Sequence, residues 1–400
     1  MIMAKSTLLE GYKVIDISNV IAGPTVTCFL ADMGADVIKV EHPVRGDDCR
    51  HFPPCRNGTS GPYVNLNRGK RGLAVDLNNP EGTEIIKELI KSADAIVENF
   101  VPGTMKRWGI DYEALSRINP GIVMVSVSGY GQTGPMSQMP GYDLIAQALS
   151  GIMSVTGHPG GPPTRVGVLI GDTSAGAFGC LGLLAALLNR QKTGLGQHVD
   201  ISMLDVLVSY LDLPQYNWAG IVLGRTGNRL HNIAPFDNYQ TKDDRWVIIA
   251  AANNKLWAQL CEFMGRPELA TDPRFDTNPS RARHYDEMNE EINKWTSKHT
   301  LDELVKMLRE AGLPVAPILN WDEVLALPQV NERKMCIEVD DPLVGKAKIT
   351  GSPIKFSRCP CVVEESAPML GQNTREILLG LGYSDERINQ LSQAGIIKVI

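Results

Sequence analysis

The sequence predicts an α/β protein, a parallel sheet covered by helices with a smaller α/β unit attached. Three observations carry this. Strand-like and helix-like runs alternate through the first half of the chain, the pattern of repeated β-α-β units. The texture changes near Gly220, where a basic, polar stretch over Gly224–Pro235 reads as a linker. After Pro328 the chain returns to short strands and a closing helical pair.

The elements follow in order. Tyr12–Ser18 alternates like a strand, and a helix is expected from Thr25 to about Met33. Asp36–Glu41 is the next strand. Cys49–Gly69, rich in Gly, Pro, Asn and Arg, reads as a long loop. Leu73–Leu77 is a short strand, and Pro80 opens a helix to about Ser92, since proline suits a first turn. Ala95–Glu98 and the β-branched Ile122–Ser128 are further strands. Tyr142–Met153 and Thr173–Asn189 read as buried helices, the second preceded by a strand at Arg165–Ile170. His198–Ile201 is a strand and Leu204–Trp218 a helix. Beyond the linker, Phe236–Gln240 and Trp246–Ala251 flank a polar turn and predict a hairpin. Helices are expected at Lys255–Met264, Ala282–Lys298, Leu301–Ala311, Asn373–Leu381 and Asp385–Ala394.

Bulk properties narrow the class of function. The 400 residues allow a large buried core, and 43% hydrophobic with 21% charged residues is ordinary for a globular chain. A net charge of −6 argues against a nucleic-acid partner; any phosphate must meet a local cation cluster. No run of roughly eighteen apolar residues is evident, so no membrane span is expected. The opening Met-Ile-Met-Ala-Lys-Ser lacks an apolar signal core. The eight cysteines are scattered without a CxxC pair and the seven histidines are dispersed. Neither a metal site nor a disulfide framework is expected, and a cytoplasmic location is the default.

Several motifs carry possible chemistry. Gly129-Tyr130-Gly131-Gln132-Thr133-Gly134 matches the dinucleotide fingerprint after a strand. Pro135 follows at once, no helix opens at the third glycine, and no acidic residue lies about twenty positions on. A loop at the carboxyl end of a strand is the better reading, and α/β folds place ligands there. Asn67-Arg68-Gly69-Lys70-Arg71 puts three cations in four positions of an acidic chain. A solvated turn and a phosphate site stand even on spacing alone. Asn99-Phe100-Val101-Pro102-Gly103, with Arg107 just beyond, is either a turn and helix start or a backbone cradle for a nucleotide. Gly171-Asp172-Thr173 begins a helix, with Asp172 as a good N-cap. A helix N-terminus also favours an ionised carboxylate, which a nucleophile requires. Arg225, Arg229 and His231 in the linker either form a solvated face or receive a second substrate carboxylate.

Taken together these segments resemble CoA-transferase family III, the CaiB/BaiF family. The blocks run in order: Val20–Pro24, Gly34–Glu41, Asn67–Arg71, Val97–Phe100 with Pro102-Gly103, Ser128–Gly131, Gly141–Asp143, Gly171-Asp172, and Lys192–Gly194 with Gly196-Gln197. Asn232–Phe236, Gly312–Val315 and Leu370–Gln372 extend the likeness to the C-terminus.

The resemblance implies a Rossmann-like large domain built from both chain ends, residues 1–220 and 329–400. A small domain at 221–328 is inserted between them. It implies an interlocked homodimer, no permanently bound cofactor, and coenzyme A entering as substrate. It further implies that Asp172 attacks the donor thioester to give a mixed anhydride, then an aspartyl-CoA thioester that an acceptor carboxylate attacks. CoA contacts are implied at Ile21, Ala22, His42, Arg68, Lys70, Arg71, Asn99, Phe100, Val101 and Arg107, with Tyr142 and Asp143 near the thioester.

Formyl-CoA users of the family carry Gln where this chain has Ile21, and a four-glycine run that is absent between Pro235 and Asn253. The likeness is therefore to acetyl- or succinyl-CoA users acting on oxalate, succinate, glutarate or related carboxylates. Two rival functions remain in view. One is an α-methylacyl-CoA racemase of the same fold, in which a His stands where this chain has Tyr142. The other is a non-catalytic CoA-binding protein.

Overall fold

The computed structural model describes residues 8–230 and 232–400. His231 and the opening hexapeptide lie outside the described residues. Two compact units make up the chain, one of residues 8–153, 165–214 and 328–400, the other of residues 154–164 and 215–327. The short segment 154–164, expected within the large part, groups with the second unit.

The first unit is organised around β1 (Lys13–Asp16), β2 (Asp36–Glu41), β3 (Arg71–Val75), β4 (Ala95–Glu98), β5 (Val123–Ser128) and β6 (His198–Ser202). Their order in the sheet is β3-β2-β1-β4-β5-β6, all parallel. This is the doubly wound order, whose reversal lies between β1 and β4. A C-terminal two-residue strand, Ile397–Lys398, adds antiparallel to β3.

Alternate residues of each strand feed opposite layers. Ile15, Ile38, Leu73, Ile96 and Met124 pack on one face with Ile85, Ile86 and the C-terminal Ile377, Leu378, Ile388 and Leu391. Val14, Val37, Val97, Val125 and Val127 pack on the other with Val26, Leu30, Ala175 and Leu183. Burial on both faces is why these strands read as nearly continuous apolar runs.

The helices that position the site are α1 (Ala22–Asp32), α2 (Gly61–Asn67), α3 (Pro80–Ile90), α4 (Thr104–Arg107), α5 (Tyr112–Ile118), α6 (Asp143–Leu149), α7 (Ile170–Thr193) and α8 (Met203–Val208). Three expectations change. Arg165–Ile170 is not a strand; the helix begins at Ile170 instead. Tyr142–Met153 breaks at Ser150-Gly151, and Leu204–Trp218 breaks after Val208. The expectation of no span-length apolar segment is also corrected. The 24-residue α7 is long and apolar enough to cross a membrane by length and composition. Here one side of it, including Ala175, Gly179, Leu183 and Ala186, is buried in the core.

The second unit holds a three-stranded antiparallel sheet in the order Val315–Pro317, Trp246–Ala250, Phe236–Gln240. The hairpin expected around residues 241–244 is present. Trp257, Leu260, Ile292 and Leu304 fill its core beneath flanking helices.

Candidate active site

Five parallel strands of the first unit end at the same edge of the sheet, and the segments at and after their carboxyl ends build two clefts. One cleft, of about 760 Å3 and open to solvent, is lined by Asn19–Ala22 after β1, Asn99–Pro102 after β4 and Val127–Gly129 of β5. Ser137, Met139, Gly141, Tyr142, Met203 and Asp172 complete it. No Lys, Arg or His among the described residues lines it. The other cleft, of about 560 Å3, takes His42, Arg45 and Asp48 after β2 and Asp76–Asn78 after β3. Phe100 and Asn19 line both. The Phe100 ring meets Trp108 edge-on, with centroids 5.0 Å apart.

Asp172 sits in the first turn of α7, half-buried. It is not the N-cap expected from sequence, because the helix starts two residues before it and Leu169 occupies the cap. The capping is supplied from elsewhere. Asp143, at the head of α6, accepts hydrogen bonds from Gly171 N at 2.6 Å and Asp172 N at 3.2 Å. Its other oxygen accepts from Gln147 Nε2 at 2.6 Å, and Gln147 Oε1 accepts from Val166 N at 2.9 Å. Gly171 is required here, since a Cβ would lie 2.9 Å from Asp143 Oδ1.

Asp143, expected near the thioester, supports the start of α7 beneath Asp172. It is only 5% exposed and does not line the cleft. Burial, and then the Asp143 charge, raise the Asp172 carboxyl to about 7. Burial and the Asp143 charge thus act against the ionised carboxylate that a helix start favours.

The loop after β1 is tied down by side chains from several elements. Asn99 Oδ1 accepts from Asn19 N at 2.7 Å while its Nδ2 donates to Asn19 O at 2.7 Å. Asn99 thus binds β1 and β4 loops together at the topological switch. Val20 has φ of 67°, a conformation that costs a β-branched residue about 1–3 kcal/mol. The next loop is held by Glu98, whose Oε2 accepts from Phe100 N at 2.7 Å. Burial pushes Glu98 up to about 7. Gly129 and Gly141 explain the dinucleotide-like fingerprint: a Cβ on either would lie 2.8 Å from the other's Cα. That motif lets two loops touch beside the cleft.

The predicted site residues thus divide. Ile21, Ala22, Asn99, Phe100, Val101 and Tyr142 line the Asp172 cleft and His42 lines the neighbouring one. Arg107, on α4 between Pro102 and Trp108, is exposed and makes no ion pair among the described residues. Arg68, Lys70 and Arg71 are corrected. Arg68 is buried and forks onto Asp32 at 2.9 and 2.7 Å. Lys70 is buried and donates to Asp16 Oδ2 and Asn67 Oδ1, both at 2.9 Å. Arg71 pairs with Asp36 at 2.7 Å and Glu376 at 2.9 Å. These cations stand at the amino end of β3, whereas ligands of parallel sheets gather at carboxyl ends.

The same rule would have found the residues that were missed, Asp76–Asn78 after β3 and Arg45 after β2. Arg45 is exposed and free of ion pairs among the described residues. Accordingly, Arg45→Ala and Arg107→Ala are each expected to raise KM for a CoA thioester several-fold, by roughly the worth of one phosphate contact. Arg71→Ala should leave KM within about twofold and lower the melting temperature slightly, as a half-exposed ion pair is worth about 0–1 kcal/mol. Steady-state kinetics and thermal melts separate the two outcomes.

In the second unit Arg229 donates to Ala282 O at 2.9 Å and stacks over the Tyr285 ring at 4.1 Å. Arg225 donates to Ser154 O at 3.4 Å. Among the described residues no three His, Cys, Asp or Glu side chains converge to hold a metal ion.

A doubly wound sheet with an unpaired carboxylate in a cleft at its switch point defines an α/β enzyme acting on a ligand laid across the strand ends. The chain belongs to CoA-transferase family III, whose family model matches residues 9–374. It is 40% identical to succinyl-CoA–D-citramalate CoA-transferase of Chloroflexus aurantiacus, over 94% of this chain and 95% of that one. It is 36% identical to human succinyl-CoA:glutarate CoA-transferase, over 97% of this chain and 90% of the other. A CaiB/BaiF family protein from Brucella suis superposes with a TM-score of 0.85 at 34% identity, covering 94% of this chain and all of that one.

Proposed function

We propose that this enzyme moves CoA from succinyl-CoA or a similar acyl-CoA to a small dicarboxylate, with Asp172 as the nucleophile. The observation that carries the reading is the Asp172 carboxylate. It is the one charged side chain among the described residues that line its cleft, and no hydrogen-bond donor among the described residues holds it. Its pKa of about 7 leaves it partly ionised at neutral pH and more basic than an ordinary carboxylate. The acyl-CoA lies across both clefts, the thioester beside Asp172 and the nucleotide beside His42, Arg45 and Arg107.

In the proposed sequence, an Asp172 oxygen attacks the thioester carbonyl and the C–S bond breaks, leaving an aspartyl anhydride and the CoA thiolate. The thiolate attacks the aspartyl carbonyl and releases the donor acid, which gives an aspartyl-CoA thioester. The acceptor carboxylate attacks that carbonyl and expels the thiolate. The thiolate then takes the acceptor's acyl group and regenerates Asp172. Each step exchanges one activated acyl bond for another, so the thioester's energy is kept. The apolar walls, Val127, Met139 and Met203, support this by limiting water around the anhydride.

The substrates named for the relatives support succinyl-CoA as donor and a dicarboxylate as acceptor. An interlocked homodimer belongs to the same proposal. Its support is the outer face of α7, where Leu181 and Leu188 are 63% and 61% exposed, an apolar surface of the kind that partners cover. The absence of a disulfide among the cysteines of the described residues accords with a cytoplasmic location.

The test is a panel of mono- and dicarboxylates offered with succinyl-CoA or acetyl-CoA, followed by mass spectrometry. One acceptor thioester should appear for each donor acid released. Hydrolysis alone, or deuterium entering the α-carbon of a 2-methylacyl-CoA without transfer, would contradict the assignment.

A further inference from the structure

The turn from Ser18 to Val20 has an unusual property: five of its six backbone polar groups are held by side chains. Ser18 N donates to Asp16 Oδ1 at 3.0 Å, and Ser18 O accepts from Lys39 Nζ. Asn19 N and O are both taken by Asn99. Val20 N donates to Asp47 Oδ1 at 3.0 Å. Asp47 Oδ1 also accepts from Cys49 N at 2.8 Å, and its Oδ2 accepts from Lys39 Nζ at 2.8 Å. Glu41 joins from below by accepting from Asp47 N at 3.0 Å. The side chains of Lys39 and Asp47 are fully buried.

This arrangement overdetermines one torsion. Val20 would not adopt φ of 67° unaided, since its branched Cβ crowds the backbone there. The ordered surroundings hold it. The turn leads directly into Ile21 and Ala22, the start of α1, and these residues share the cleft with Asp172. Neither Lys39 nor Asp47 lines that cleft.

We propose that Lys39 and Asp47 are positioning residues of the acyl-transfer site. Through Ser18 O and Val20 N they hold Val20 in the left-handed conformation and so fix the Ile21–Ala22 wall against Asp172. This rests on the transfer reaction proposed above.

The test uses glycine, which takes a left-handed conformation without steric cost. Asp47→Ala should lower kcat for transfer about tenfold or more, a loss expected when a reacting wall moves by a fraction of an ångström, with a smaller change in KM. Adding Val20→Gly to Asp47→Ala should recover at least about threefold of that kcat, because the turn no longer needs to be forced. Rates are normalised to folded protein by circular dichroism. A double variant no faster than Asp47→Ala would overturn the proposal, as would an Asp47→Ala enzyme with wild-type kcat.

A second measurement does not depend on Asp47→Ala folding. In the otherwise unchanged protein, Val20→Gly should melt about 2 °C or more above Val20→Ala, the reverse of the usual preference for alanine. A Gly variant melting no higher than the Ala variant also overturns the proposal. If the wild-type protein transfers no CoA, the functional reading fails while the melting order still reports on the turn.

Discussion

Replacing Asp172 with alanine is expected to lower CoA transfer by about three orders of magnitude or more, while KD for CoA changes little. In the proposed reaction this residue supplies the atom that attacks the thioester, and no other carboxylate among the described residues lines its cleft. The substitution should also alter stability in a pH-dependent way. The Asp172 carboxyl is raised from 3.8 to about 7 in the folded protein, so the native state holds this proton more tightly than the unfolded chain. Its contribution to stability therefore falls as pH rises from about 4 to about 7, and levels off above. Asp172→Asn removes that penalty. The variant should melt close to the wild type at pH 4 and higher at pH 8, by on the order of a few kcal/mol at most. A variant that transfers CoA at the wild-type rate would remove Asp172 from the reaction.

The second large effect is expected at Asp143. Its Oδ1 receives two backbone donors of the α7 start and its Oδ2 receives Gln147. Asp143→Ala leaves these donors without their acceptor, at about 1–3 kcal/mol for each one that stays buried and unpaired. The first turn of α7 then shifts with Asp172 on it, and kcat should drop by about a hundredfold.

Asp143→Asn separates charge from packing. Removing the negative charge that faces Asp172 lowers the Asp172 pKa. In the wild type, kcat/KM for the acyl-CoA should rise with pH through a midpoint near 7 and level off above it, as the nucleophile ionises. In Asp143→Asn that limb should move to lower pH. Glu98 also titrates near 7 through burial, but no effect of Asp143 on it enters. An unmoved limb would therefore assign the titration to Glu98. The Asn variant should still lose some kcat, because its Nδ2 faces the Gln147 amide. Gln147 cannot turn to accept without releasing Val166 N.

Much of this architecture was legible in the sequence because it follows from local rules. The strands around Ile15, Ile38, Ile96 and Val125 are β-branched runs separated by helix-length segments, and burial on both faces makes such runs apolar throughout. The hairpin of the second unit announces itself by its polar turn. The start of α7 did not, because Asp172 has the composition of an N-cap. What places it inside the helix is Asp143, a partner 29 residues earlier, and no spacing rule reports a cap supplied across space.

The cation cluster at Arg68, Lys70 and Arg71 misled for a related reason. Composition shows three charges but not their partners Asp32, Asp16 and Asp36, which lie on α1, β1 and β2. Once the parallel sheet was expected, the carboxyl end of β3 was the better place to look. Nothing in the sequence marked Val20 as strained, since the residues that hold its turn come from β1, β2 and the loops after β2 and β4.

The most direct measurement is to mix the enzyme with succinyl-CoA, quench with hydroxylamine, and map the modified peptide by mass spectrometry. The account predicts a hydroxamate on Asp172, lost in Asp172→Asn and diminished when a good acceptor acid is present. Undiminished CoA exchange with no adduct at residue 172 would contradict it.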